Sequence, residues 1–133
     1  MPSLQSVSLT DRQSPTPIVH VFSPRGIDDK GVGLVVANPG ISVAEERLTV
    51  SMRRSGSRFR GKLTIAIPQT YVPAGALSPV VDRIAYATVD ITFDEKSTEQ
   101  ERKNLIGMLQ SSLDPAKVLV NDCFIKLEGV YGA

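Results

Sequence analysis

The chain has 133 residues, of which 41% are hydrophobic and 5% aromatic, with no tryptophan and one cysteine, Cys123. That length supports one domain with a real core, expected over residues 1–133. A lone cysteine excludes an intramolecular disulfide and a cysteine-built zinc site, and scarce aromatics argue against a deep small-molecule pocket. The net charge of +1 hides a segregation: Arg47 to Val81 holds six basic residues and no acidic one, +6, whereas the remainder holds nine basic and fourteen acidic, −5. A positive field confined to one stretch points to a surface for a polyanion.

The opening MPSLQSVSLTD lacks the charged and apolar blocks of a signal peptide, and no apolar run approaches bilayer length. A soluble protein inside a cell, with no membrane partner, is expected. Val7 and Leu9 alternate with polar residues, DRQSPTP supplies turn residues, and Ile18 to Phe22 resume a β-rich run, giving two short strands. His20 lies in the second, where a polar neighbour is the expected partner and acid–base chemistry is not. Ser23 to Gly31 is expected as a loop, Val32 to Ala37 as a strand, Asn38-Pro39-Gly40 as a turn, and Ile41 to Glu46 as the approach to the next element.

Arg47 to Pro68 reads as a β-hairpin with one apolar and one cationic face. Leu48, Val50 and Met52 point one way, and Arg47, Thr49, Ser51 and Arg53 the other. With Ser55 and Gly56 as the turn, Thr49 would face Lys62, Ser51 would face Arg60, Arg53 would face Arg58 and Leu48 would face Leu63. The like-charge pair costs up to roughly 1 kcal/mol, which phosphate would reverse, since arginine presents a planar fork of donors and lysine a point charge. A solvated strand face kept charged for solubility is the alternative.

QTYVPAGALSP is expected as a loop, followed by a long strand from Val80 to Asp94. On that strand Ala85, Ala87, Val89, Ile91 and Phe93 share one face, and Tyr86, Thr88, Asp90 and Thr92 the other, so Tyr86 offers a ring for stacking a base. Ser97-Thr98-Glu99-Gln100 fits a capping box with Ser97 as N-cap. Leu105, Ile106, Leu109 and Leu113 form a helical stripe, and Asp114-Pro115 signals a second helix over AKVLVNDCFIKLEG, although Val118 to Val120 and Phe124 to Ile125 would also suit a strand. The fold class is α+β: an N-terminal β-hairpin, a five-stranded antiparallel sheet and two C-terminal helices. One sheet face must stay polar and a long terminal strand leaves an open edge, so a two-fold dimer joining edges is expected.

Catalytic signatures are missing: the chain has no glycine-rich phosphate loop, HExxH or paired cysteines. Asp82 and Asp90, eight residues apart on one strand face, stand roughly 26 Å apart and cannot act on one bond. An enzyme is not expected, nor is a cofactor or metal.

RLTVSMRR, the return strand ending AIP, PVVDRIAYATVDITF and STEQERKNLIGML, in that order, resemble the coat proteins of the single-stranded RNA bacteriophages, the leviviruses. The likeness runs from SPRG to LEGVY. It implies an interlocked dimer with a continuous ten-stranded sheet and crossed-over helices. Dimers would assemble into a T=3 icosahedral shell in the bacterial host cytoplasm, and the virion would be the protein's location. It also implies binding of genomic RNA and of an operator stem-loop, repressing replicase translation and marking the genome for packaging. By resemblance, Val32, Thr49, Ser51, Lys62 and Thr64 line pockets for unpaired adenines, Tyr86 stacks on a loop base, and Thr88 stands where an amide or carboxylate often contacts RNA. Arg47, Arg53, Arg58 and Arg60 would meet phosphates, with Arg58 and Arg60 able to exchange roles. QTYVPAGALSP takes the place of the family's loop at the five-fold and quasi-six-fold axes, without cysteines for disulfides there. The reading from another class is a cellular RNA-binding dimer that builds no shell.

Overall fold

The structure, a computed structural model, describes residues 2–37 and 44–131. Six strands come first: β1 (Val7–Thr10), β2 (Val19–Ile27), β3 (Gly33–Ala37), β4 (Glu46–Ser55), β5 (Arg58–Tyr71) and β6 (Val80–Asp94). Two helices follow, α1 (Glu99–Ser112) and α2 (Val118–Ile125). The strands lie in chain order in one sheet, and β1 to β5 are paired antiparallel. The turn expected at Asn38-Pro39-Gly40 and the first part of the approach from Ile41 lie outside the described residues.

The expected separate hairpin is continuous with the sheet, which makes six strands where five plus a hairpin were expected. β2 serves both parts: Val19 to Phe22 pair with β1, and Ser23 to Ile27 pair with β3. Ser23 to Ile27 is therefore strand, not the expected loop. Proline and glycine there disguise it, yet both are tolerated. Along that half β2 has a single neighbour, and the register slips between Pro24 and Gly26, leaving Arg25 as the bulged residue. The loop proper is short. Asp28 Oδ1 accepts the N–H groups of Lys30 (2.8 Å) and Val32 (2.9 Å), and the Asp28 N–H donates to the Val32 carbonyl. Val32 is held in that turn, so β3 begins one residue later than expected. The loop after β5 is likewise shorter, because Gln69 to Tyr71 remain in the strand.

Alternation then builds the core. Val35 lies opposite Leu48, which lies opposite Ile65. Phe22, 2% exposed, packs with Val35 and Leu48, flanked by Leu4, Val7, Leu9, Ala37, Leu63 and Ile65. Burying one such side chain contributes roughly 1.5–3 kcal/mol.

The chain divides into two compact units, Met1–Thr92 and Phe93–Ala133. In the second, the α1 N-cap is Thr98, whose hydroxyl accepts the Glu101 N–H at 3.2 Å. The expected cap was Ser97. Thr98-x-x-Glu101 satisfies the capping pattern as well as Ser97-x-x-Gln100, and Ser97 instead receives Arg102 Nη1 on its carbonyl (2.7 Å) and hydroxyl (3.1 Å). Asp114-Pro115 does not open α2 either. Asp114 Oδ1 accepts from the Ala116 N–H and its carbonyl from the Lys117 N–H, closing a turn that α2 follows from Val118. The second helix is present and shorter than expected. Neither helix contains a buried residue.

Candidate nucleic-acid interface

The cationic surface begins with the β4–β5 hairpin. Its loop is Gly56-Ser57, with Ser55 opposite Arg58, and Gly56 has φ 63°, as the first central position of a tight hairpin turn requires. The expected turn sat one residue earlier. That difference moves every partner by two positions: Thr49 faces Thr64, Ser51 faces Lys62, Arg53 faces Arg60 and Leu48 faces Ile65. A two-residue slip leaves each side chain on its own face, so sorting polar with polar could not separate the two registers.

Eight of the expected site residues meet on one face of this hairpin: Arg47, Thr49, Ser51 and Arg53 on β4, with Arg58, Arg60, Lys62 and Thr64 on β5. The short side chains of Thr49, Ser51 and Thr64 are half-buried, and the long cations around them are exposed. A hydroxyl-lined centre rimmed by charge results. Arg53 and Arg60, directly opposite, form a like-charge pair, destabilising by up to about 1 kcal/mol when nothing anionic lies over it. Arg54 falls on the other face, over the Phe59 ring at 5.3 Å, and takes no part in this surface. The positive field reaches the neighbouring turn. Asp28 is held below the ordinary carboxylate value by the Val32 N–H first, against its own burial, with the Lys30 N–H and the charges of Lys30 and Arg53 adding to the effect.

Tyr86 and Thr88 lie on β6, next to β5 in the sheet order. Val89, Ile91 and Phe93 are half-buried while Asp90, Thr92 and Asp94 are exposed, so Tyr86 and Thr88 share the exposed parity of that strand. Tyr86 is 70% exposed, with its ring available for stacking. Val32 stands apart from the strand face, half-buried in the turn before β3.

Sequence reasoning missed two charge clusters. Glu45, just before β4, is buried; its Oε1 accepts from Arg25 Nη2 at 2.5 Å and its Oε2 lies 3.6 Å from Arg47 Nη2. Arg25 was hidden inside an expected loop, and only the bulge brings it here. On the opposite face, His20 Nε2 lies 2.7 Å from Asp11 Oδ2 and Nδ1 lies 2.9 Å from Glu46 Oε1. The Asp11 hydrogen bond, then the Glu46 charge, raise the histidine above its usual value of 6.5, against burial. Asp11 also accepts the N–H groups of Ile18 (2.8 Å) and Gln13 (3.0 Å); with His20 these lower it to about 2. His20 thus has polar partners, as expected, and ties the β1–β2 hairpin to β4. Among the described residues, no group of three or more His, Cys, Asp or Glu side chains is placed to hold a metal ion.

A sheet with one cationic face is followed by helices that, among the described residues, leave most of their apolar side chains exposed, a surface of the kind that marks an interaction site. The levivirus coat protein family model matches residues 2–131, and the chain belongs to that family. It is 40% identical over 131 residues to the capsid protein of Pseudomonas phage PRR1, covering 96% of this chain and 98% of that one. Among solved structures, the virus-like particle of bacteriophage ESE058 superposes with a TM-score of 0.85 at 22% identity, over 98% of this chain and 100% of that one. A second, described as an unassembled virus coat protein dimer and bacteriophage RNA-binding dimer, gives 0.70 at 20% identity, over 97% and 98%. The protein is thus a shell-forming phage capsid protein and part of the virion, structural rather than catalytic.

Proposed function

We propose that the chain, acting as a single coat-protein domain over residues 1–133, interlocks with a second copy and presents the β4–β5–β6 face to RNA. Strands β2 to β6 of each copy join through β6 into a continuous ten-stranded sheet, and the helices of each copy cross over its partner. The dimers build a T=3 icosahedral shell in the bacterial host cytoplasm. Their cationic face binds an operator stem-loop, represses replicase translation and gathers the genome for packaging. Thr49, Ser51, Lys62 and Thr64, with Val32 at the edge, receive unpaired adenines; Tyr86 stacks on a loop base beside Thr88; Arg47, Arg53, Arg58 and Arg60 meet phosphates.

The observation that carries this reading is the convergence of five cations and three hydroxyl side chains on one hairpin face, with a like-charge pair toward its turn end. Two further observations support it. β6 is 15 residues long and ends the sheet order, so among the described residues one of its edges has no strand beside it. Val118, Leu119, Phe124 and Ile125 of α2 are exposed, an apolar surface of the kind that marks an interface.

Titration of the purified dimer with a synthetic RNA stem-loop carrying unpaired adenines tests the reading. Six or more phosphate contacts predict roughly a thousandfold or greater loss of affinity between about 50 and 200 mM salt. Lys62→Ala should weaken binding at every salt concentration. Unchanged affinity for both Lys62→Ala and Tyr86→Ala dimers would remove the RNA surface from this face.

A further inference from the structure

The β2 bulge leaves Arg25 as the extra residue between Pro24 and Gly26, and bulges commonly re-aim a side chain. Here the Arg25 guanidinium meets the carboxylate of Glu45 at 2.5 Å, while Arg47 approaches the other oxygen of that carboxylate at 3.6 Å. Glu45 is 6% exposed at its side chain, whereas Arg25 and Arg47 are 50% and 58% exposed. One carboxylate cannot neutralise two guanidinium groups, so the trio keeps a net positive charge. Each contact engages one terminal nitrogen of a five-donor fork. Stability alone explains this arrangement poorly, because a buried ion pair adds little over an apolar replacement. It does hold two arginines together on the side of the sheet that carries Thr49 and Ser51.

We propose that Arg25 is a further RNA-phosphate contact, set in place by the β2 bulge and held beside Arg47 by the buried carboxylate of Glu45. The proposal rests on the β4–β5 face being the RNA surface and widens that surface across β3 to β2. Two strand spacings separate β2 from β4, roughly 10 Å, which long arginine side chains and a folded RNA can bridge. Glu45 is a positioning residue in this account; Arg25 makes the contact.

Arg25→Gln alone takes a cation from a buried carboxylate and is expected to lose stability for that reason. The decisive comparison is therefore Glu45→Gln against Glu45→Gln/Arg25→Gln, in which no buried charge is stranded. Both dimers, checked by circular dichroism and elution volume, are titrated with the same synthetic stem-loop across a salt series, alongside Lys62→Ala. If Arg25 meets a phosphate, its removal weakens binding several-fold, and the slope of log affinity against log salt becomes shallower by about one. If Lys62→Ala weakens binding but removing Arg25 changes neither affinity nor slope, Arg25 is only a partner for Glu45 and the proposal is overturned. Were Lys62→Ala also without effect, the RNA face itself would fail, and Arg25 with it.

Discussion

The first four strands bury some of their apolar side chains, whereas the two helices bury none. Phe22, Val35, Val36 and Leu48 are buried within the chain, and His20, held by Asp11 inside the β1–β2 hairpin, fastens that hairpin to β4 through Glu46. In the helices, Leu105, Ile106, Leu113, Val118, Leu119, Phe124 and Ile125 are all exposed, although several recur at helical spacing as a core stripe would. The strands bury a small core, although Val19, Val21, Ile27, Val50 and Met52 stay exposed, whereas neither helix buries a residue. An exposed apolar face of that kind is what the proposed second copy would cover.

Truncating each half should separate the two regimes. Phe22→Ala should cost about 3–5 kcal/mol, measured by denaturant unfolding, with no dependence on protein concentration beyond that of the parent. Phe124 is 67% exposed in the chain. Without a covering partner its truncation should cost under about 0.5 kcal/mol; beneath a second copy the loss should reach about 2 kcal/mol or more and deepen on dilution. A small, concentration-independent effect at Phe124 would break the comparison. Tyr86→Ala sharpens it from the RNA side, with about 1–3 kcal/mol of binding lost through stacking and stability unchanged within about 0.5 kcal/mol.

The smallest effect expected is on pH dependence. A histidine raised in the folded state contributes stability that is fully present below its unfolded value of 6.5 and is lost as pH rises through the folded value. Asp11, lowered from 3.8 to about 2, contributes stability present above 3.8 and lost as pH falls toward 2. The latch is therefore strongest between about pH 4 and 6.5. Urea midpoints for the parent should fall as pH rises above that window, and His20→Gln should flatten the fall. An equal fall in both proteins would assign the pH dependence to other groups.

Much of the fold was legible where one physical signal dominated. β6 alternates without interruption by proline or glycine, and its expected bounds, Val80 to Asp94, are those observed. Ambiguity arose wherever two patterns satisfied the same rule. The hairpin could slip by two without moving a residue between faces, and Ser97 and Thr98 both head a capping pattern. Asp114-Pro115 suits a turn as well as a helix start. The β2 bulge was hidden for another reason, since SPRG carries the composition of a loop and only pairing with β3 makes it a strand. For the candidate site, alternation put Arg47, Thr49, Ser51, Arg53, Arg58, Arg60 and Lys62 on one hairpin face, whereas Thr64, like Val32, came from the family resemblance. Glu45 and Arg25 escaped because their meeting depends on that bulge, which no local pattern announces.

The most direct test of the central claim is to cross-link the stem-loop to the dimer with ultraviolet light and identify the attached residues by mass spectrometry. Cross-links at Tyr86 and on β4 and β5 around Thr49, Ser51 and Lys62 are the predicted result. Cross-links confined to α1, α2 or the apolar side of the sheet, with none on that face, would contradict it.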